Sequence, residues 1–203
     1  MGCIMKAASI ILSGGKSSRM GTNKALLKIN EKTNIERLVE ELKRVFSEII
    51  LVTNHPDEYR FLGVKMVSDR FPGLGPLAGL HAGLQESTQE VNVAVACDMP
   101  FVSGELAEKI AAKLGSFDAA IPVIDGKKQP LFAAYRRCIL PVVEASLEKR
   151  NLRMTQLFDD LQVLYLTEED LPGYSKPRLK RTFFNMNYPE EYEKAKNWAD
   201  GDN

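Results

Sequence analysis

The sequence predicts a three-layer α/β fold with a mostly parallel central sheet. Three observations carry that expectation. Short apolar runs alternate with amphipathic segments along the whole chain, the sequence form of repeated βαβ units. The first run, Ala7 to Leu12, passes abruptly into Ser13-Gly14-Gly15, a turn at the carboxyl end of a strand. Polar residues recur where later runs end, at Asn54, Asp69, Asp98 and Asn187. In open α/β sheets that edge is where ligands bind.

The elements follow in order. After the glycine turn, Thr33 with Glu36 three residues on makes a capping box. Ile35, Leu38, Val39, Leu42, Val45 and Phe46 then fall on one helical face. Glu48 to Thr53 reads as a second strand, Pro56 to Leu62 as a connector and Val64 to Val67 as a short third strand. Gly73-Leu74-Gly75-Pro76 opens a helix through about Glu86, with proline suited to its first turn. Val91 to Cys97 is the most uniformly apolar run, as expected of a central strand covered on both faces. A helix is expected from Ser103 to Leu114 and a strand from Asp118 to Val123. Asp125-Gly126 then reads as a hairpin turn into Gln129 to Tyr135. Helical patterns cover Ile139 to Lys149 and Met154 to Asp160, with a strand at Gln162 to Leu166. Leu171 to Lys180 reads as a mobile surface loop, Phe183 to Asn187 as a last short strand, and Pro189 as the start of a closing helix.

At 203 residues, with no repeat and no break in composition, the chain is expected to form one domain. The 27 basic and 27 acidic residues give a net charge of +0, so no global field recruits nucleic acid or an anionic membrane. Anion binding must be local. Three scattered cysteines (Cys3, Cys97, Cys138) and two histidines (His55, His81) provide neither a zinc knuckle nor a disulfide framework. They suit a reducing cytoplasm. No apolar run approaches a membrane span, and the start is no secretory signal.

The chemistry concentrates in the segment from Ile10 to Lys24. Gly14 and Gly15 allow a bend and a close backbone approach, successive N–H groups make a concave anion site, and Arg19 and Lys24 add positive charge. The segment is therefore read as a polyphosphate cradle, although a plain turn and solvated cations would look alike. It is no Walker A loop, because Ile10 stands where that pattern needs glycine, and G-x-G-x-x-G is also absent, which disfavours a dehydrogenase. Asp98, held directly after an apolar strand, is the candidate metal ligand for Mg²⁺ shared with substrate phosphates. Its alternative role is a helix cap, for which Ser103 is better placed. Asp69 and Asn54 read equally as turn caps. Cys97 reads as a buried small residue rather than a nucleophile, and neither histidine finds a partner in sequence.

Leu12-Ser13-Gly14-Gly15, Ser17, Arg19-Met20-Gly21 and Lys24 together resemble the loop L-[AS]-G-G-x-S-x-R-M-G-x-x-K of GT-A-like nucleotidyltransferases, most closely the molybdenum cofactor guanylyltransferases. Gly75 to Gly79 is similar to that family's G-P-L-A-G, Cys97 to Pro100 to its C-D-x-P, and Asn185 to Glu191 to its N-x-N-x-P-E-E. The resemblance spans nearly the whole chain and implies a Rossmann-like domain of the nucleotide-diphospho-sugar transferase type, with residues 1–100 mainly its nucleotide-binding half and 101–203 mainly its acceptor-binding half. It implies GTP contacts at Leu12, Ser13, Gly14, Lys24, Asn54 and Asp69, to which the glycine turn adds Gly15. It further implies Mg²⁺ on Asp98, and the pterin acceptor on the side of the C-terminal motif; alternation along the last strand turns Asn185 and Asn187 to opposite faces, and Asn187, nearer its carboxyl end, is expected to face the crevice. The implied reaction moves GMP from GTP to the terminal phosphate of molybdenum-bound molybdopterin and releases pyrophosphate, with Arg19, Lys24 and Asp98 as the catalytic set. Implied partners are the two substrates and a transient contact with cofactor-synthesis or acceptor enzymes, with no nucleic acid and no membrane. Two rival readings stay open: a cytidylyl or sugar-phosphate transferase of the same fold, and a catalytically silent nucleotide-binding protein. Asn187 has the alternative role of capping the last helix. Two departures stand out. Ser13 takes the place of the usual alanine, and Asn23 replaces a frequent aspartate, leaving no acid there.

Overall fold

A computed structural model describes residues 5–14 and 23–201. Gly15, Arg19 and Cys3, on which part of the sequence reading rests, lie outside the described residues.

The first strand, β1 (Met5–Leu12), is buried from Ala7 onward. A 3-10 turn (Lys24–Leu26) leads into a small antiparallel hairpin of β2 (Lys28–Ile29) and β3 (Lys32–Thr33). The expected capping box opens α1 (Asn34–Lys43): Thr33 Oγ1 accepts from the Glu36 amide, and the Glu36 carboxylate accepts from the Thr33 amide at 2.8 Å. Then come β4 (Phe46–Val52), a 3-10 turn (Pro56–Leu62), β5 (Lys65–Val67), α2 (Pro76–Glu86), β6 (Val91–Ala96) and α3 (Gly104–Lys113). The second half holds β7 (Ala119–Ile124), β8 (Lys127–Lys128), β9 (Phe132–Arg136), α4 (Leu140–Glu148), α5 (Met154–Leu157), β10 (Val163–Leu166), α6 (Lys176–Thr182) and α7 (Pro189–Asp200).

One sheet runs β10-β7-β9-β6-β1-β4-β5, with β8 paired to β7. β1 is parallel to β4 and β6, β4 to β5, and β7 to β10. Only β8 and β9 run against their neighbours in this sheet. Because side chains alternate across a strand, Ala7 and Ile11 enter one core with α1 and α3, while Ile10 and Leu12 enter the other with α2 and α4. Contact between α2 and the sheet is close. A Cβ on Gly83 would lie 2.2 Å from Ile10 Cγ2, and one on Gly79 would lie 3.0 Å from Leu12 Cδ2. The G-P-L-A-G segment is thereby pressed against the end of β1. A third, smaller cluster joins Ile29 to Met186, Ala195 and Ala199, so α7 closes onto the hairpin that follows Lys24. Tyr192 strengthens this closure by donating its hydroxyl to the Lys28 carbonyl at 2.6 Å. Among the described residues no helix is long and apolar enough to cross a membrane.

One expectation is met with a change and two need correction. The Asp125-Gly126 hairpin forms, both residues having positive φ (48° and 72°), and β8 and β9 both run antiparallel to β7. The returning arm breaks at residues 129–131, and β9 lies between β7 and β6. β9 thus keeps its hairpin partner β7 on one edge and gains the distant β6 on the other. Residues 171–180 are no loose loop: Leu171 and Leu179 are fully buried, and Ser175 Oγ caps α6 from the Arg178 amide. Its proline sits in the first turn, where it needs no N–H donor. Residues 183–187 form no strand. They lie across the end of the sheet, held where the Met186 amide donates to the Asp98 carbonyl at 2.9 Å.

Candidate active site

β1 and its parallel neighbours deliver the site. Cys97 N donates to the Leu12 carbonyl at 3.1 Å, and Ser13 N donates to the Val52 carbonyl at 2.9 Å. The ends of β6, β1 and β4 are therefore laced together where the glycine turn begins. Gly14 is open on its Cβ side, where none of the other described residues, its chain neighbours aside, comes within 4 Å.

On the β6 side, three residues remote in sequence meet. Lys24 Nζ donates to Asn187 Oδ1 at 2.9 Å and lies 3.9 Å from Asp98 Oδ2. Burial raises the pKa of Asp98 above the usual carboxylate range, Lys24 opposes the rise and Glu191 adds to it. Asp98 caps no helix, since Ser103 Oγ receives the Leu106 amide at the start of α3. Asn187 does not cap α7 with its side chain either: the Glu191 carboxylate accepts from the amides of Asn187 and Tyr188.

On the β4–β5 side, Asn54 Oδ1 accepts from the Asp69 amide at 3.1 Å, and the Asp69 carboxylate accepts from the Phe71 amide. Asp69 thus does play the turn role that its sequence context allows. These two residues pair with each other across the β4 and β5 ends. They form a group separate from that of Lys24, Asp98 and Asn187. The open turn at Gly14 lies between the two groups, since β1 stands between β6 and β4.

Several contributors carry no signal in the sequence. Buried Asn34 donates to the Cys97 carbonyl and so braces the turn into Asp98. Tyr59, 2% exposed, receives hydrogen bonds from Ser13 and Asn23 at 2.8 Å each. Each acts through a partner far away in the chain, which no local pattern discloses. Burial pushes the Cys97 thiol up to about 12, which leaves it inert as a nucleophile. His81 is a core residue of α2 with its ring edge against Phe71, and burial lowers its pKa.

Among the described residues no cluster of three acidic, histidine or cysteine side chains could hold a metal unaided. A mostly parallel sheet whose carboxyl edge gathers an open glycine turn, a lysine and a half-buried carboxylate suits a nucleoside triphosphate that brings its own oxygens to a cation. The class so defined is the nucleotidyltransferases with a GT-A-like sheet. Within it, the chain belongs to the MobA-like NTP transferase family, whose model matches residues 9–162. It is 40% identical over 186 residues to a probable molybdenum cofactor guanylyltransferase of Carboxydothermus hydrogenoformans, covering 91% of this chain and 92% of that one. A relative from Pelotomaculum thermopropionicum with the same description is 34% identical, covering 97% and 95%. Among solved structures, molybdopterin-guanine dinucleotide biosynthesis protein A of Archaeoglobus fulgidus superposes with a TM-score of 0.82 at 25% identity, covering 96% of this chain and 99% of that one.

Proposed function

We propose that the protein transfers GMP from GTP to the terminal phosphate of molybdenum-bound molybdopterin, giving molybdopterin guanine dinucleotide and pyrophosphate. The observation that carries this reading is the meeting of Lys24, Asp98 and Asn187, which brings one residue from each of three motifs to a single point. A phosphate oxygen of the acceptor attacks the α-phosphorus of GTP, and the bond to the β-phosphate oxygen breaks. The attacking phosphate is already ionised near neutral pH, so no general base is required. What remains is to offset repulsion between anions and hold the attack in line. Lys24 supplies positive charge toward the departing pyrophosphate, and Arg19 is assigned the same task. Leu12 to Gly15 offer backbone to the phosphates, and Asn54 and Asp69 face the nucleoside end. Asn187 receives the acceptor, with its amide able to donate and accept.

The carboxylate of Asp98 fits Mg²⁺. It is desolvated, Lys24 at 3.9 Å leaves part of that cost uncompensated, and one carboxylate plus phosphate oxygens and water is a usual magnesium set. When bound there, the ion would neutralise phosphate charge and polarise the phosphoryl group. We place the reaction in the cytoplasm, in keeping with free thiols at Cys97 and Cys138, and expect only transient contact with enzymes that supply or receive the pterin. Incubation of labelled GTP or CTP with Mg²⁺ and molybdopterin tests the reading. A guanine dinucleotide formed from GTP and little product from CTP is expected; cytidylyl product, or none from either, would overturn it.

A further inference from the structure

Tyr59 lies on the 3-10 turn between β4 and β5, with its ring buried in the core shared with α1 and α3. Its phenol oxygen accepts from Ser13 Oγ and from Asn23 Nδ2, both at 2.8 Å. Ser13 and Asn23 stand on either side of residues 15–22, so one oxygen joins both flanks of the segment. The Asn23 amide is fully used. Its Nδ2 also donates to Glu58 Oε2 at 2.7 Å, and its Oδ1 accepts from the Ala25 amide at 3.1 Å, capping the 3-10 turn that carries Lys24. A continuous set of hydrogen bonds therefore runs from Tyr59 through Asn23 to the turn that aims Lys24 at Asn187 and Asp98.

We propose that Tyr59 is a positioning residue for the triphosphate: its phenol oxygen ties Ser13 to Asn23 and so holds Lys24 in register with the phosphate site. The proposal rests on the nucleotidyl-transfer reading above. It also accounts for the asparagine at 23. An aspartate there would lose both donations and set its carboxylate against that of Glu58, at hydrogen-bond distance. The identity of residue 23 is thus coupled to residue 58, a link invisible in the spacing of the loop. Burial raises the pKa of the Tyr59 phenol, so it remains protonated and acts as a tie rather than a base.

The test titrates GTP with Mg²⁺ into the full chain and measures kcat and KM with molybdopterin. The variants are Tyr59→Phe, Lys24→Ala, their combination, Asn23→Asp, and Asn23→Asp with Glu58→Gln. Tyr59→Phe should weaken GTP binding about tenfold, the scale of losing a hydrogen-bonded tie between neutral groups. Because Tyr59 acts through Lys24, the Tyr59→Phe, Lys24→Ala double variant should bind GTP no worse than Lys24→Ala alone. Asn23→Asp should weaken GTP by at least as much as Tyr59→Phe, and Glu58→Gln should restore most of it. Additive losses, or no rescue by Glu58→Gln, would overturn the proposal. If Tyr59→Phe folds poorly in a thermal melt, the more exposed pair of Asn23 and Glu58 decides the matter alone. A parent protein that binds GTP but makes no dinucleotide would sink the assigned reaction and leave the GTP comparisons to judge Tyr59. A parent that binds no GTP would sink both.

Discussion

At Asp98 the apolar strand before it works against the charge that the chemistry needs. Burial raises its pKa, so the folded protein holds that proton more tightly than the unfolded chain does. Unliganded protein therefore loses stability as pH rises from the unfolded value through the folded one, and the loss is complete above it. Asp98→Asn keeps the shape without the charge. We expect turnover with Mg²⁺ to drop by roughly a hundredfold or more. The apo melting temperature near pH 7 should hold or rise. A lower melting temperature with normal turnover would make Asp98 structural. Turnover by the parent should also fall off on the acid side at a higher pH than an ordinary aspartate would dictate, because the proposed metal role requires the carboxylate to be ionised. Single residues were the most legible scale in the sequence. Asp98 follows the run from Val91 to Cys97, apolar but for Asn92, and Lys24 closes a spaced loop pattern. Tyr59 and Asn34 were illegible because their partners lie 46 and 63 residues away.

Among the elements, α2 shows how packing places a motif. Gly83 admits Ile10 where any Cβ would collide, at 2.2 Å, and this close crossing seats Gly79 over Leu12. Gly83→Ala should destabilise by about 1–3 kcal/mol through overpacking, despite alanine's better helix propensity. Urea titration would measure the loss; a gain in stability would mean that Ile10 shifts freely. Elements rich in local signal, such as the Thr33 capping box and the Pro76 helix start, were readable from sequence. Those settled by distant pairing were not. The pairing of β9 with β6 on its far edge has no local signal, and residues 183–187, which read as a strand, find no neighbouring strand. A strand there would turn Asn185 and Asn187 to opposite faces; the contact of Asn187 with Lys24 arises without one. Asn187→Ala should raise the molybdopterin Kd about tenfold, the scale of losing a hydrogen bond to a charged group. GTP binding and the melting temperature should scarcely change, because Glu191 rather than Asn187 receives the α7 amides. A lower melting temperature with molybdopterin binding intact would return Asn187 to a capping role.

Over the whole molecule, the decisive contact joins residues 163 positions apart, Lys24 and Asn187. The sheet alone does not make it. It depends on α7 folding back onto the β2–β3 hairpin through Ile29, Met186, Ala195 and Ala199, with Tyr192 fastened to Lys28. The closing helix was legible from Pro189 onward, but its docking surface was not, since one isoleucine and one methionine give no periodic pattern. Met186 is fully buried in that cluster, and its amide is bonded to the Asp98 carbonyl. Met186→Ala keeps the amide and removes the packing, at a cost of about 2–5 kcal/mol if the cavity stays open. The loss should fall unevenly on function. The segment bearing Asn187 loses its anchor, whereas Asn54, Asp69 and the end of β1 are held by the two main cores and by sheet hydrogen bonds. Molybdopterin affinity should therefore fall several times more than GTP affinity, with both titrations made well below the lowered melting temperature. Equal losses for the two ligands would mean that the C-terminal closure supports the molecule as a whole and has no particular part in seating the acceptor.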